Sequence, residues 1–232
     1  MTDTGELTTE TARALIRLAA TEDEQALNEL TQLSRRRSYH KGEAIYRQDD
    51  PVLGLYAVLE GQVRIEIESP AGRNMIINWI GPNAVFGLLS FVGGSPQLET
   101  ATAIEDSEIL IFRRDGLLAY MADHPESMLG LTRILAERWQ HARELLQDVV
   151  FLDVPGRLAK LLLHLSERHE VWVPGSGNLI KLPSQNDLAL RVGSSRVTVN
   201  KWLQVFAHQG WIELHRNNVR IMQPERLRER IG

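Results

Sequence analysis

The sequence predicts an α+β chain: a small antiparallel β-roll, then a long amphipathic helix, then a winged helix-turn-helix. Three observations carry that reading. Between residues 39 and 114 apolar and polar residues alternate and turn residues recur at short intervals; from about 125 to 150 the apolar period becomes helical; after 153 two helical stretches meet at a glycine and run into a hairpin pattern.

Ahead of the roll, residues 9–34 place Leu15, Leu18, Ala19, Leu27, Leu30 and Leu33 at helical spacing, which predicts short amphipathic helices. From Tyr39 the spacing changes. Val63, Ile65 and Ile67 alternate with Arg64, Glu66 and Glu68, an apolar face inward and a charged face outward, with turns at Glu60-Gly61, Ser69 to Gly72 and Gly81-Pro82-Asn83. The stretch SEILIFRR (107–114) predicts the closing strand.

After His124-Pro125 a long helix is expected to about Val150. Leu131, Leu135, Trp139, Ala142, Leu146 and Val149 lie along it at intervals of 4, 4, 3, 4 and 3. That seam fits either a helix packed on its own roll or a parallel dimer coiled coil. Asp153 then starts a new helix, with Pro155 in its first turn and Leu158, Leu161, Leu162 and Leu165 as its buried stripe. Residues 1–153 and 154–232 are therefore read as two domains with a hinge at 150–154.

Composition narrows the chemistry. The 232 residues include no cysteine, which excludes disulfides, iron–sulfur clusters and cysteine-ligated zinc and makes a reducing cytoplasm the expectation. The first residues are polar and acidic where a signal peptide needs a basic start, and no apolar run approaches about 18 residues, so no membrane partner is expected. The net charge of −4 hides an asymmetry. Residues 1–153 carry 14 Lys and Arg against 24 Asp and Glu, net −10, whereas residues 154–232 carry 12 against 6, net +6. The basic module is the nucleic-acid candidate.

Within it, LPSQNDLALRVGSSRVTVNKWLQVFAHQGWIEL (182–214) reads as helix, turn and helix. Ser184 with Asp187 three residues on caps the first helix, Gly193 supplies the turn, and Ser194 or Ser195 caps a second helix with a core face of Val199, Leu203 and Phe206. The pattern after Gly210 predicts two short strands around Asn217-Asn218. The first turn of the second helix faces away from its core stripe and is placed to reach base edges. Arg196 suits bidentate bonding to guanine and Val197 contact with a thymine methyl; Ser184, Gln185, Ser195 and Lys201 suit phosphates, and Thr198 and Asn200 complete the candidate DNA-binding set.

Three stretches, KGEAIYRQDDPVLGLYAVLEGQVRI (41–65), FLDVPGRLAKLLLHL (151–165) and VGSSRVTVNKWLQVF (192–206), resemble in order the roll signature, hinge and recognition helix of the catabolite activator and fumarate–nitrate regulator family of bacterial transcription factors. One departure lies at Gln48-Asp49-Asp50, where the family usually has a central glycine; Asp tolerates such a turn. The resemblance implies a cyclic-nucleotide-binding-like roll and a cytoplasmic homodimer joined along the long helix, with an activator as the expected output. It implies binding to a palindromic promoter site with half-site centres about one helical turn apart, and contact with RNA polymerase. In the cyclic-AMP branch a Glu follows the recognition arginine. Here it is Val197, which is similar to the nitrogen regulator NtcA branch and implies GTA-like half-sites.

The same resemblance makes residues 86–103, FGLLSFVGGSPQLETATA, the phosphate-binding cassette. Gly87 matches its first glycine. Leu88, followed by Leu89, stands where the family has the ribose Glu; Gln97-Leu98 or Leu98-Glu99 stand at the phosphate Arg-Ser; Ala142-Arg143 stand at the Thr-Ser of the long helix. An unpaired phosphate facing Glu99 would be costly to bury, so cyclic AMP in the usual pose is not expected. Three readings stay open: 2-oxoglutarate held partly by Arg138; an internal pairing of Glu99 with Arg138 or Arg143 that makes DNA binding ligand-independent; or another effector with apolar surface against Leu88, Leu89 and Trp139.

Other classes have little in their favour. There is no G-x-S-x-G, P-loop or paired acid–base signature, so neither catalytic residues nor an enzyme are expected. The histidines His124, His141, His164, His169, His208 and His215 show no metal-ligand spacing, and no metal or cofactor is expected. A ligand-binding module acting on a partner protein is a remote alternative, which the basic C-terminal module argues against.

Overall fold

A computed structural model describes residues 15–167, 179–216 and 218–231. The chain divides into two compact units between Ala142 and Arg143. Among the described residues no helix is long and apolar enough to cross a membrane.

In the first unit, helical residues 15–19 and α1 (Glu24–Gln32) precede eight strands. These are β1 (Ser34–Tyr39), β2 (Ala44–Tyr46), β3 (Gly54–Glu60), β4 (Val63–Glu68), β5 (Asn74–Ile80), β6 (Val85–Phe86), β7 (Thr100–Ala103) and β8 (Ser107–Arg113). A short helix α2 (Leu88–Gly93) interrupts them, and α3 (Arg114–Asp123) and α4 (Glu126–Phe151) follow. One antiparallel sheet runs β1-β8-β3-β6 and the other β2-β7-β4-β5, which is the expected roll.

Strand alternation explains how the roll is filled. Tyr56 and Val58 of β3 and Ile109 of β8 join Tyr39, Tyr46, Val63, Ile65, Ile80, Phe86, Ala101 and Ala103 in a cluster drawn from both sheets. The neighbouring residues Leu55, Ala57, Leu59, Leu110 and Phe112 point the other way, onto Leu15, Leu18, Leu27, Leu30, Leu117 and Leu131 from the helices. β3 is thus buried on both faces from Gly54 to Leu59.

Two expectations for the strands change. Ile67, expected inward, is 39 % exposed, because a bulge between Ile65 and Glu66 shifts the β4–β5 register and β4 ends beyond the core. β1, on the free edge beside β8, was not legible: Arg35, Arg36 and Arg37 are all exposed, so the strand shows no alternation. The turn at Asp49 does adopt the left-handed conformation, φ +69°, that the family's glycine would take.

The second unit begins within α4 and continues with α5 (Val154–Glu167), β9 (Leu179–Lys181), α6 (Gln185–Val192), α7 (Arg196–His208), β10 (Ile212–His215), β11 (Asn218–Ile221) and α8 (Pro224–Arg228). Asp153 Oδ1 accepts from the Gly156 N–H (2.9 Å), so it caps α5 as expected, and Leu158, Leu161, Leu162 and Leu165 are buried. β10 and β11 pair as a hairpin that β9 extends to three strands. The expected turn at Asn217-Asn218 shifts: Asn218 already pairs with His215 inside the ladder, Arg216 takes φ +31°, and Asn217 lies outside the described residues, as does His169.

Candidate functional site

The helix-turn-helix is built by capping. Ser184 Oγ accepts from the Asp187 N–H (3.1 Å) and donates to the Asp187 carboxylate (2.6 Å), which starts α6. Gly193 closes it at φ +67°. Ser195 Oγ then accepts from the Thr198 N–H (3.1 Å) and bonds the Thr198 hydroxyl (2.8 Å), which starts α7. Val199, Leu203 and Phe206 bury the inner face of α7. That packing turns Arg196, Val197, Asn200 and Lys201 to solvent, with Val197 80 % exposed.

Hydrogen bonds within the module engage several of the residues expected at DNA. Gln185, read as a phosphate contact, accepts through Oε1 from Arg196 Nε (3.1 Å) and donates weakly to Asn200 (3.5 Å). This bond uses Nε of Arg196, whereas bidentate guanine recognition can use the two terminal nitrogens. Ser184 and Ser195 are engaged in capping α6 and α7, with Thr198 bonded to the Ser195 cap.

The cassette is a second candidate site. Gly87 stands before α2 at φ +79°, with the Tyr56 ring 2.9 Å from where a Cβ would lie, so only glycine fits without displacing the ring. Leu88 is 4 % exposed and packs in the helix-side core rather than in the cluster between the sheets. Leu89 and Leu98 are exposed, and Gln97 is 1 % exposed with no hydrogen-bond partner for its side-chain amide among the described residues.

Glu99 accepts from the Tyr46 hydroxyl (3.2 Å), and Arg138 donates to the Val85 carbonyl (2.7 Å). Burial pushes the Glu99 carboxyl above its usual value, while the Tyr46 bond and the Arg138 charge pull it back. Burial likewise lowers Arg138, and the Glu99 charge offsets this. The internal ion pair of Glu99 with Arg138 or Arg143, one of the three readings left open, does not form as a direct contact among the described residues: Glu99 and Arg138 each take a neutral partner and act on each other's charge across space. Sequence reading missed Tyr46, whose hydroxyl burial and Glu99 hold well above its usual range. His141 donates from Nε2 to the Ile77 carbonyl (3.1 Å), and among the described residues no cluster suits a metal ion.

Along α4 the expected seam separates into two faces. Leu131 is only 6 % exposed and belongs to the first unit's own core, so it leaves the seam. Leu135, Trp139, Ala142, Leu146 and Val149 are exposed, Trp139 at 71 %. Met128 and Thr132, also exposed, continue their spacing, and the intervals from 128 to 149 then become a regular 4 and 3.

A model of the cyclic nucleotide-binding domain matches residues 36–124, and a model of the Crp-like helix-turn-helix domain matches residues 156–230. The chain is 37 % identical over 192 residues to a CRP-like cAMP-activated global transcriptional regulator of Mycobacterium tuberculosis, covering 83 % of this chain and 86 % of that one. It is 30 % identical over 194 residues to the cyclic AMP receptor protein of Thermus thermophilus, covering 84 % and 87 %. Among solved structures, FixK2 of Bradyrhizobium japonicum superposes with a TM-score of 0.73 at 25 % identity, over 86 % of this chain and 98 % of that one. The c-di-GMP responsive regulator CLP of Xanthomonas campestris shares the fold, with a TM-score of 0.78 at 21 % identity over 86 % and 99 %.

Proposed function

The chain belongs to the CRP/FNR family of transcription regulators, and from that premise we propose that it is a homodimeric activator that binds a palindromic promoter site without needing cyclic AMP. The observation that carries the ligand part is the cassette. The position of the ribose Glu is a core leucine, and the position of the phosphate Arg-Ser, whether Gln97-Leu98 or Leu98-Glu99, holds no cation, with the half-buried Glu99 carboxylate beside it already bonded to Tyr46. A cyclic phosphate there would meet a like charge and no cassette cation. The relatives from Mycobacterium tuberculosis and Thermus thermophilus carry cyclic AMP in their names, and this chain departs from the cassette pattern that the family resemblance implies.

Dimerisation runs along Leu135, Trp139, Ala142, Leu146 and Val149, apolar side chains that a second copy would cover. The DNA-binding module starts at residue 154, and α7 enters the major groove with Arg196 on guanine and Val197 against a thymine methyl, in half-sites of the GTA type. RNA polymerase is the partner at the promoter. Gating by 2-oxoglutarate finds less support, since Arg138 is the one arginine offered and it is engaged by the Val85 carbonyl.

The test is binding of purified protein to a palindrome with GTA half-sites, alone and with millimolar cyclic AMP or 2-oxoglutarate. Tight specific binding without additive is the expected result. Binding that appears only with an additive would overturn ligand independence. Val197→Glu should change the selected half-site at the position that this residue contacts.

A further inference from the structure

Arg157 makes a contact that the reading of DNA recognition above does not use. It lies in the first turn of α5, and its guanidinium donates from Nη1 to the Leu152 carbonyl (2.7 Å) and from Nε to the Val192 carbonyl (2.8 Å). Leu152 follows the last residue of α4, and its own N–H is still bonded to the Asp148 carbonyl. Val192 is the last residue of α6, directly before the Gly193 turn into α7. One side chain therefore ties the end of the long helix to the turn of the helix-turn-helix.

The chemistry suits arginine. Carbonyls at the C-terminal ends of helices lack an N–H from a following turn and sit at the negative end of the helix dipole, so a donating cation is favoured there twice over. Two such carbonyls on different elements need two N–H groups at a fixed separation. A planar guanidinium supplies them; an ammonium on a flexible stem does not hold the two directions together. Nearby bonds fix the other sides of the junction: Asp153 Oδ2 accepts from Arg230 (3.0 Å), and Lys160 pairs with Asp148 (2.5 Å). Of these residues Arg157 is the one that reaches α6.

We propose that Arg157 is a positioning residue for DNA recognition, which sets the α6–α7 turn against the end of α4 and so holds the recognition helix at the angle that a two-half-site palindrome requires. The inference rests on the DNA-binding reading above.

The experiment compares wild type with Arg157→Gln and Arg157→Lys on the selected palindrome and on a single half-site, over a range of salt, with melting and sedimentation as controls for folding and dimerisation. Arg157→Gln should lose about tenfold or more on the palindrome, stay within about threefold on the half-site, and keep the salt slope; Arg157→Lys should fall between. Undiminished palindrome binding by a folded dimeric variant overturns the inference, as does an equal loss on both DNAs. A salt slope lower by about one would mean a phosphate contact and also overturns it. Should Arg157→Gln fail to melt cooperatively, Arg157→Lys carries the same comparison with the same outcomes. Wild type that binds no specific DNA overturns the reading beneath, whereas wild-type binding with unaffected variants overturns the inference alone.

Discussion

Arg196, the residue proposed for the guanine, is already oriented by one neighbour. Its Nε is held by Gln185, which removes one rotation from the guanidinium before DNA arrives. Gln185→Ala should therefore cost about 1 kcal/mol at the guanine and little elsewhere in the site, without a change in salt slope, as measured by binding to base-substituted palindromes. A slope lower by about one would return Gln185 to the phosphate role that its position in the sequence suggests. His124 is the second residue with a measurable signature. Its ring bonds Glu29 (2.9 Å), lies 3.4 Å from Glu126, and stacks on Tyr120. The Glu29 bond, then Glu126, raise the imidazole above its ordinary value near 6.5, while Gln25 and then His124 lower Glu29. A raised folded-state value means stabilisation that is full below about pH 6.5 and lost as the pH climbs through the raised value. The difference in melting temperature between wild type and His124→Gln should thus be largest near about pH 6 and shrink on the alkaline side.

At the scale of elements, α4 carries the clearest prediction. Trp139→Glu places a charge in the middle of the exposed apolar stripe, so sedimentation should show a monomer and palindrome binding should fall by about 100-fold or more, with the melt of the first unit little changed. The stripe was legible because leucine and tryptophan recur at coiled-coil intervals. Its N-terminal end was not: Leu131 has the right chemistry one position away from the seam, and only the core beneath it decides that it turns inward while Met128 and Thr132 turn out. Capped helices announced themselves through Ser184, Ser195 and Asp153, because capping is local. β9, three residues long, and β1, with arginines on both faces, gave no such signal; their partners β11 and β8 define them.

For the whole molecule, the order of modules was readable in the sequence, since it depends on which residue types recur at which spacing. The bonds around the cassette were hidden: Tyr46–Glu99 and Arg138–Val85 each join positions 53 apart, and only the folded roll brings them together. β3, which the roll interior and the helix layer share, has a further consequence. Because its alternate side chains belong to the two different clusters, neither layer can come apart without exposing the other's residues. The amides of residues 55–59 should therefore exchange with deuterium only through complete opening of the first unit, and a faster, partial route would contradict this. A protease should accordingly cut within residues 54–60 only in chains whose first unit has opened fully.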